Sequence, residues 1–169
     1  MRGRLLSLLA ALVFVAACET TPEETGASTG DGGSTTTASS DTSTTEPAGP
    51  IPGSQEDLVV NVGDRVFFGF DQYDLTAEAQ ETLRRQAEWM ATYGDVTVTV
   101  EGHCDERGTR EYNLALGERR SNAVKNFLVA LGVDPSRVTT ISYGKEQPAV
   151  IGSDESSWAQ NRRGVTVVN

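Results

Sequence analysis

Gly102-His103-Cys104-Asp105-Glu106-Arg107-Gly108-Thr109-Arg110-Glu111-Tyr112-Asn113-Leu114-Ala115-Leu116-Gly117-Glu118-Arg119-Arg120 is the stretch that decides the fold. It starts where an apolar strand, Val96–Glu101, ends. It crosses a charged loop and enters a helix that the spacing carries to about Leu131. Leu116, Ala123, Val124, Phe127, Leu128 and Leu131 recur at helical intervals and make one apolar face. Arg120 lies four residues after Leu116 and four before Val124, so it falls on that face. A charge on a core-facing stripe costs free energy unless it is compensated. Asp105, fifteen positions upstream in the loop, is one candidate partner. Two readings stand open. The pair is a structural ion bridge that fixes the loop, or it is a zwitterion clamp, with Asp105 for a ligand ammonium and Arg120 for a ligand carboxylate.

Working outward, Thr76 reads as an N-cap with Glu78 in the first turn behind it. Ala79, Leu83, Ala87 and Met90 then give a second helix that stops at Tyr93-Gly94. Leu58-Val59-Val60 and Arg65–Phe68 are β-rich, and Val96–Val100 alternates as a strand should. Asp134-Pro135 opens a short helical turn, followed by a strand over Val138–Tyr143. Glu155–Gln160 is a short helix and Gly164–Val168 a last strand. The order βαβαβ(α)β predicts an α/β domain, an α+β sandwich with two long helices packed on one mixed sheet.

The N-terminus has a different character. Arg2 and Arg4 precede an apolar stretch of thirteen, Leu5 to Ala17. That is short for a membrane span, which takes about twenty residues, and it reads as a signal peptide over 1–17. Val15-Ala16-Ala17-Cys18 resembles a bacterial lipobox, which makes Cys18 a lipidation site. Several acyl chains anchor firmly, at about 0.8 kcal/mol per buried CH₂. Residues 19–57 contain 26 Thr, Ser, Gly or Pro among 39, and eight acidic residues with no basic one. Such a segment buries too little to order itself, so 18–57 is expected to be a lipidated cysteine with an extended acidic tether. The remaining domain, 58–169, has sixteen acidic against twelve basic residues, a net of −4, and the whole chain carries −10. That balance argues against nucleic acid, which demands a basic face.

The motifs carry a resemblance. Phe68-Gly69-Phe70-Asp71, Gly102 to Thr109, Glu111-Tyr112-Asn113, Leu116 to Arg120 and Asn161-Arg162-Arg163 occur together and in order. In this the chain resembles the peptidoglycan-associated lipoproteins of Gram-negative bacteria, within the OmpA C-terminal-like family, from about Val66 to the end. The resemblance implies non-covalent binding of peptidoglycan through meso-diaminopimelate. It implies contacts to that residue from Asp71, Asp105 and Arg120, and an apolar wall from Leu116. It further implies an outer-membrane lipid anchor, a domain facing the periplasm, and a place in the Tol–Pal system at cell division. TolB is the implied partner, competing for the same pocket. An acidic residue after the lipidated cysteine biases some bacterial lipoproteins toward the inner membrane, and Glu19 is acidic.

The chemistry fits those residue types. The diaminopimelate side chain ends in an ammonium and a carboxylate, which an Asp and an Arg at fixed separation read together. A lysine in its place lacks the carboxylate. Gly108 allows a tight turn that brings backbone N–H groups toward that carboxylate. Asp71 has a plainer reading as a turn residue capping its own loop. Asn161-Arg162-Arg163 reads as a solvated basic turn, with the sheet-end carboxylates as possible partners. No metal or cofactor is expected. His103 is the single histidine, and no calcium loop, zinc motif or phosphate-cradling glycine loop occurs. Cys104 has no partner if Cys18 is lipidated, so it is expected to be packed and inert. Two other functions compete: a peptidoglycan hydrolase using Asp71 or Glu106, and a structural OmpA-like anchor outside the Tol system.

Overall fold

The computed structural model describes residues 49–169. The expected signal peptide, the expected lipidation site Cys18 and most of the expected acidic tether fall on residues 1–48, outside the described residues. Four strands, β1 (Arg65–Phe67), β2 (Val98–His103), β3 (Val138–Gly144) and β4 (Arg163–Val168), form one sheet in the order β1-β4-β2-β3. β4 runs antiparallel to β1 and β2, with Glu101 opposite Val165, whereas β2 and β3 are parallel, with Val98 opposite Val138. The sheet is therefore mixed. The parallel pair requires a crossover, which the long helix α3 (Arg110–Ala130) supplies. A second long helix, α2 (Ala77–Thr92), and a short α4 (Glu155–Asn161) complete the main framework.

Local chemistry sets the helix ends. Thr76 Oγ1 accepts from Ala79 N, and Thr109 Oγ1 accepts from Tyr112 N. α3 stops where Gly132 takes a φ of 100° and Val133 N turns back to Leu128 O. The core is where the apolar periodicities meet. Ala79, Leu83, Ala87 and Met90 of α2 pack with Val124 and Leu128 of α3 over Val66, Val98, Val100 and Val138. α3 comes closest to the sheet at two glycines. A Cβ at Gly102 would lie 2.6 Å from Gly117 C and 3.0 Å from its Cα, inside any ordinary carbon contact.

Three expectations need correction. Leu58-Val59-Val60 is not a strand. It continues the short helix α1 (Gln55–Asp57) through a π-helical turn over Leu58–Val62. The reason is visible in the burial: Leu58 is fully buried while Val59 and Val60 face solvent, which is no alternating pattern. The ordered domain also begins before Leu58. Gly53 abuts Tyr93, and Asp57 is buried, accepting from Gly53 N, Asn61 Nδ2 and Trp89 Nε1 at 2.7–2.8 Å. Composition had given those residues to the tether. Leu131, expected on the core face, is exposed because α3 ends one residue earlier.

Candidate functional site

One cavity of about 170 Å³ opens where two loops meet the first half of α3. The β1–α2 loop brings Phe70 and Asp71. The β2–α3 loop brings Cys104, Asp105, Arg107 and Gly108. Tyr112, Asn113, Leu116 and Arg120 come from α3. All five residues expected to bind ligand, Asp71, Asp105, Gly108, Leu116 and Arg120, line this one cavity. Tyr112, Leu116 and Arg120 are spaced by four, so one stripe of α3 forms its wall.

Asp105 and Arg120 do not form the ion pair that was one expectation. Arg120 is wholly buried, and its guanidinium donates to three backbone carbonyls. Nε reaches Gln72 O at 2.8 Å, one terminal nitrogen reaches His103 O at 2.7 Å, and the other reaches Gly69 O at 3.1 Å. Its charge lies 5.1 Å from the Phe68 ring centroid. Among the described residues no carboxylate stands within ion-pair distance of it. Burial pushes its pKa below the ordinary value, yet a guanidinium stays charged at any physiological pH. Three of its five N–H groups are used, leaving two without protein acceptors.

Asp105 is buried too, but its charge is matched by other residues. Arg107 donates from its backbone N at 3.1 Å and from Nε at 3.2 Å, both to Oδ1, and from a terminal nitrogen to Oδ2 at 2.5 Å. Arg162 adds a contact to Oδ2 at 3.4 Å. Burial alone would raise the Asp105 carboxyl; the hydrogen bonds from Arg107 and Arg162 outweigh it and hold the pKa below its usual value. Arg162 is therefore no solvated turn residue. It is buried, bridges Asp105 and Glu155, and donates to Phe68 O at 3.1 Å. The expectation that this turn pairs with carboxylates at the sheet end does hold in the structure.

Asp71 differs from both. It is exposed and sits at a φ of 55°, a left-handed conformation rare outside glycine. Its carboxylate accepts the Tyr112 hydroxyl. Gly108, at a φ of 91°, shapes the opposite lip, and its carbonyl accepts from Lys145 Nζ at 2.7 Å. Cys104 is buried beneath, with its thiol on Asn113 O and its pKa raised by burial. His103 points to the other face of the sheet, stacked on Tyr143 at 5.5 Å. Among the described residues no three His, Cys, Asp or Glu side chains converge as metal ligands would.

Phe70, Arg107, Tyr112 and Asn113 line the pocket although sequence reasoning gave them no role there, and Arg162 joins the site through Asp105. For Tyr112 the signal was present, four residues before Leu116. For Arg107 it was present too, since Asp105 lies two residues before it; for Arg162 it was not, because Asp105 and Phe68 are far from it in the chain.

Residues 67–162, more than half of the chain, match the model of the OmpA family. Over 117 residues the chain is 59% identical to the peptidoglycan-associated lipoprotein of Agrobacterium fabrum, covering 69% of this chain and 66% of that one, just under two thirds. It is 53% identical over 118 residues to the protein of the same name from Brucella suis, covering 70% of each. Among solved structures, the crystal structure of the peptidoglycan-associated lipoprotein from Burkholderia pseudomallei matches with a TM-score of 0.61 at 42% identity, over 63% of this chain and 90% of that one. The C-terminal domain of Helicobacter pylori MotB matches with a TM-score of 0.59 at 19% identity, over 63% of this chain and 84% of that one, a likeness of fold.

Proposed function

The chain belongs to the OmpA family, alongside its peptidoglycan-associated lipoproteins, and from that membership we propose that it binds peptidoglycan non-covalently through the meso-diaminopimelate of the stem peptide. The observation that carries the reading is Arg120. It is a fully buried cation beside a cavity, solvated by carbonyl dipoles and without a carboxylate partner among the described residues. A ligand carboxylate supplies the missing charge, and the two unused N–H groups receive it. Asp71 and Asp105 stand on the same cavity for the ammonium, and Leu116 contacts the aliphatic stem.

The arrangement favours binding over catalysis. Asp105 is held ionised and fully hydrogen-bonded, which suits neither a general acid nor a free base. The matched relatives are named for association with peptidoglycan, not for a reaction. The lipobox at Val15–Cys18 and the lipoprotein relatives support a lipid anchor at Cys18. We place that anchor in the outer membrane, with the domain in the periplasm and a role in the Tol–Pal system. Exposed Phe70 and Tyr112 on the cavity suit a protein partner, TolB, that covers the pocket and competes with peptidoglycan.

The test is calorimetric titration of the full-length chain in detergent with two muramyl tripeptides, one ending in diaminopimelate and one in lysine. The wild type binds the first and binds the second at least about tenfold more weakly, since one charge-assisted contact is lost. Arg120→Lys keeps the charge without the planar fork and loses most of that discrimination. Equal binding of both peptides by the wild type overturns the reading.

A further inference from the structure

We infer that Arg107 is a built-in competitor for the ligand ammonium, a side chain that occupies Asp105 in the free domain and has to be displaced for Asp105 to hold ligand. The inference rests on the diaminopimelate reading of this pocket. It begins with a count. An ionised carboxylate offers about four acceptor sites. In Asp105 four donors fill them: the Arg107 backbone N and Nε on Oδ1, and the terminal nitrogens of Arg107 and Arg162 on Oδ2. No acceptor capacity remains for an incoming ammonium, so one donor leaves when ligand binds.

Which one leaves follows from how each is held. The backbone N is fixed by the loop. Arg162 has a side chain only 8% exposed and is also tied to Glu155 at 2.6 Å and to Phe68 O. The Arg107 side chain is 31% exposed and stands at the rim. It also has somewhere to go. Its guanidinium lies between the Phe70 ring, at 4.1 Å, and the Trp158 ring, at 4.0 Å, and Glu155 is 3.9 Å away. A planar cation slides within such a stack without losing it, exchanging Asp105 for Glu155.

The stack makes the exchange matter beyond Asp105. Phe70 precedes Asp71 on the β1–α2 loop, so Arg107 ties the loop of one pocket carboxylate to the other carboxylate itself. The competitor weakens both kinds of ligand alike, so the discrimination between them rests on Arg120. A diaminopimelate end displaces Arg107 and gains Arg120 through its carboxylate. A lysine end displaces Arg107 and gains nothing at Arg120.

Two measurements on the full-length chain in detergent test this, with the diaminopimelate and lysine tripeptides as probes. In the first, side-chain NMR follows the arginine Nε–H signals of the wild type during titration with the diaminopimelate tripeptide. The Arg107 signal shifts strongly while the Arg162 signal stays; an Arg107 signal unchanged at saturation overturns the inference. In the second, Arg107→Met keeps an unbranched side chain between the two rings and removes the competing charge. Its affinity for the diaminopimelate tripeptide rises by about threefold, the size of one partly solvated ion contact, and its affinity for the lysine tripeptide rises by the same factor, so the preference is kept. Unchanged or weakened affinity in a variant that still melts cooperatively overturns the inference, and the peptidoglycan reading survives through the wild type. Failure of the wild type to bind either tripeptide removes both.

Discussion

Gly102→Ala tests the link between the fold and the pocket. The new methyl would meet the Gly117 backbone of α3 at 2.6 Å to C and 3.0 Å to Cα, with the carbonyl oxygen nearer still. Carbon meets oxygen at about 3.3–3.6 Å, so the helix has to retreat by roughly 1.5 Å to clear the carbonyl. Backbone on both sides of the contact leaves no rotamer to absorb the clash. Overpacking of this kind costs about 1–3 kcal/mol. The retreat also stretches the contacts that pin α3 to its neighbours: Arg120 to His103 O at 2.7 Å, and Ser142 Oγ to Leu114 O at 2.7 Å. One or two weakened hydrogen bonds add about 1 kcal/mol each, for a total of about 2–5 kcal/mol. In a domain of this size that lowers the thermal midpoint by at least about 10 °C. Circular dichroism melts measure it, with Gly94→Ala as the control, since nothing lies within 4 Å of a Cβ there. Titration with the diaminopimelate tripeptide below the midpoint shows weaker binding, because Leu116 and Arg120 travel with the helix. A Gly102→Ala chain that melts within about 2 °C of wild type refutes the packing argument.

His103 predicts a pH dependence. Burial, reinforced by Arg163, lowers its pKa from 6.5 to about 4, so the folded domain keeps it neutral while the unfolded chain protonates it first. Stability is thus unaffected above pH 6.5 and declines as pH falls from 6.5 toward 4, by up to about 3 kcal/mol. Urea unfolding across that range measures the slope, and His103→Phe flattens it; an unchanged slope in the variant refutes the assignment. Asp57→Ala leaves the buried Trp89 indole N–H without its acceptor, and a chain beginning at Leu58 does the same. Both melt below the wild type, and a melt indistinguishable from it would return residues 53–57 to the tether.

The parts of this fold legible in the sequence are those governed by period and by local caps. Thr76 caps its helix as its chemistry dictates, and the order of elements implied a mixed sheet with two long helices. What was not legible depends on contacts between distant residues. Leu58–Val60 has strand-forming side chains, but Ser54 caps a helical turn ahead of them and Asp57 locks that turn to Trp89, thirty-two positions away. Propensity loses to a tertiary contact there. The same limit governs Arg162, whose partners are Asp105 and Phe68, 57 and 94 positions away.

Arg120 shows where the boundary lies within one residue. Helical spacing alone put its charge on the buried face, and burial followed. Spacing could not name what compensates the charge, because the three carbonyls come from Gly69, Gln72 and His103, on two loops that periodicity does not bring together. A carbonyl cage is a different device from an ion pair. It solvates the guanidinium without neutralising it, so the charge remains available to an anion. Asp105, the nearest expected anion in the sequence, is occupied instead by Arg107 and Arg162. With its own carboxylate engaged elsewhere, the pocket keeps an unneutralised cation facing a cavity, and that unmatched charge is what the proposed ligand carboxylate rests on.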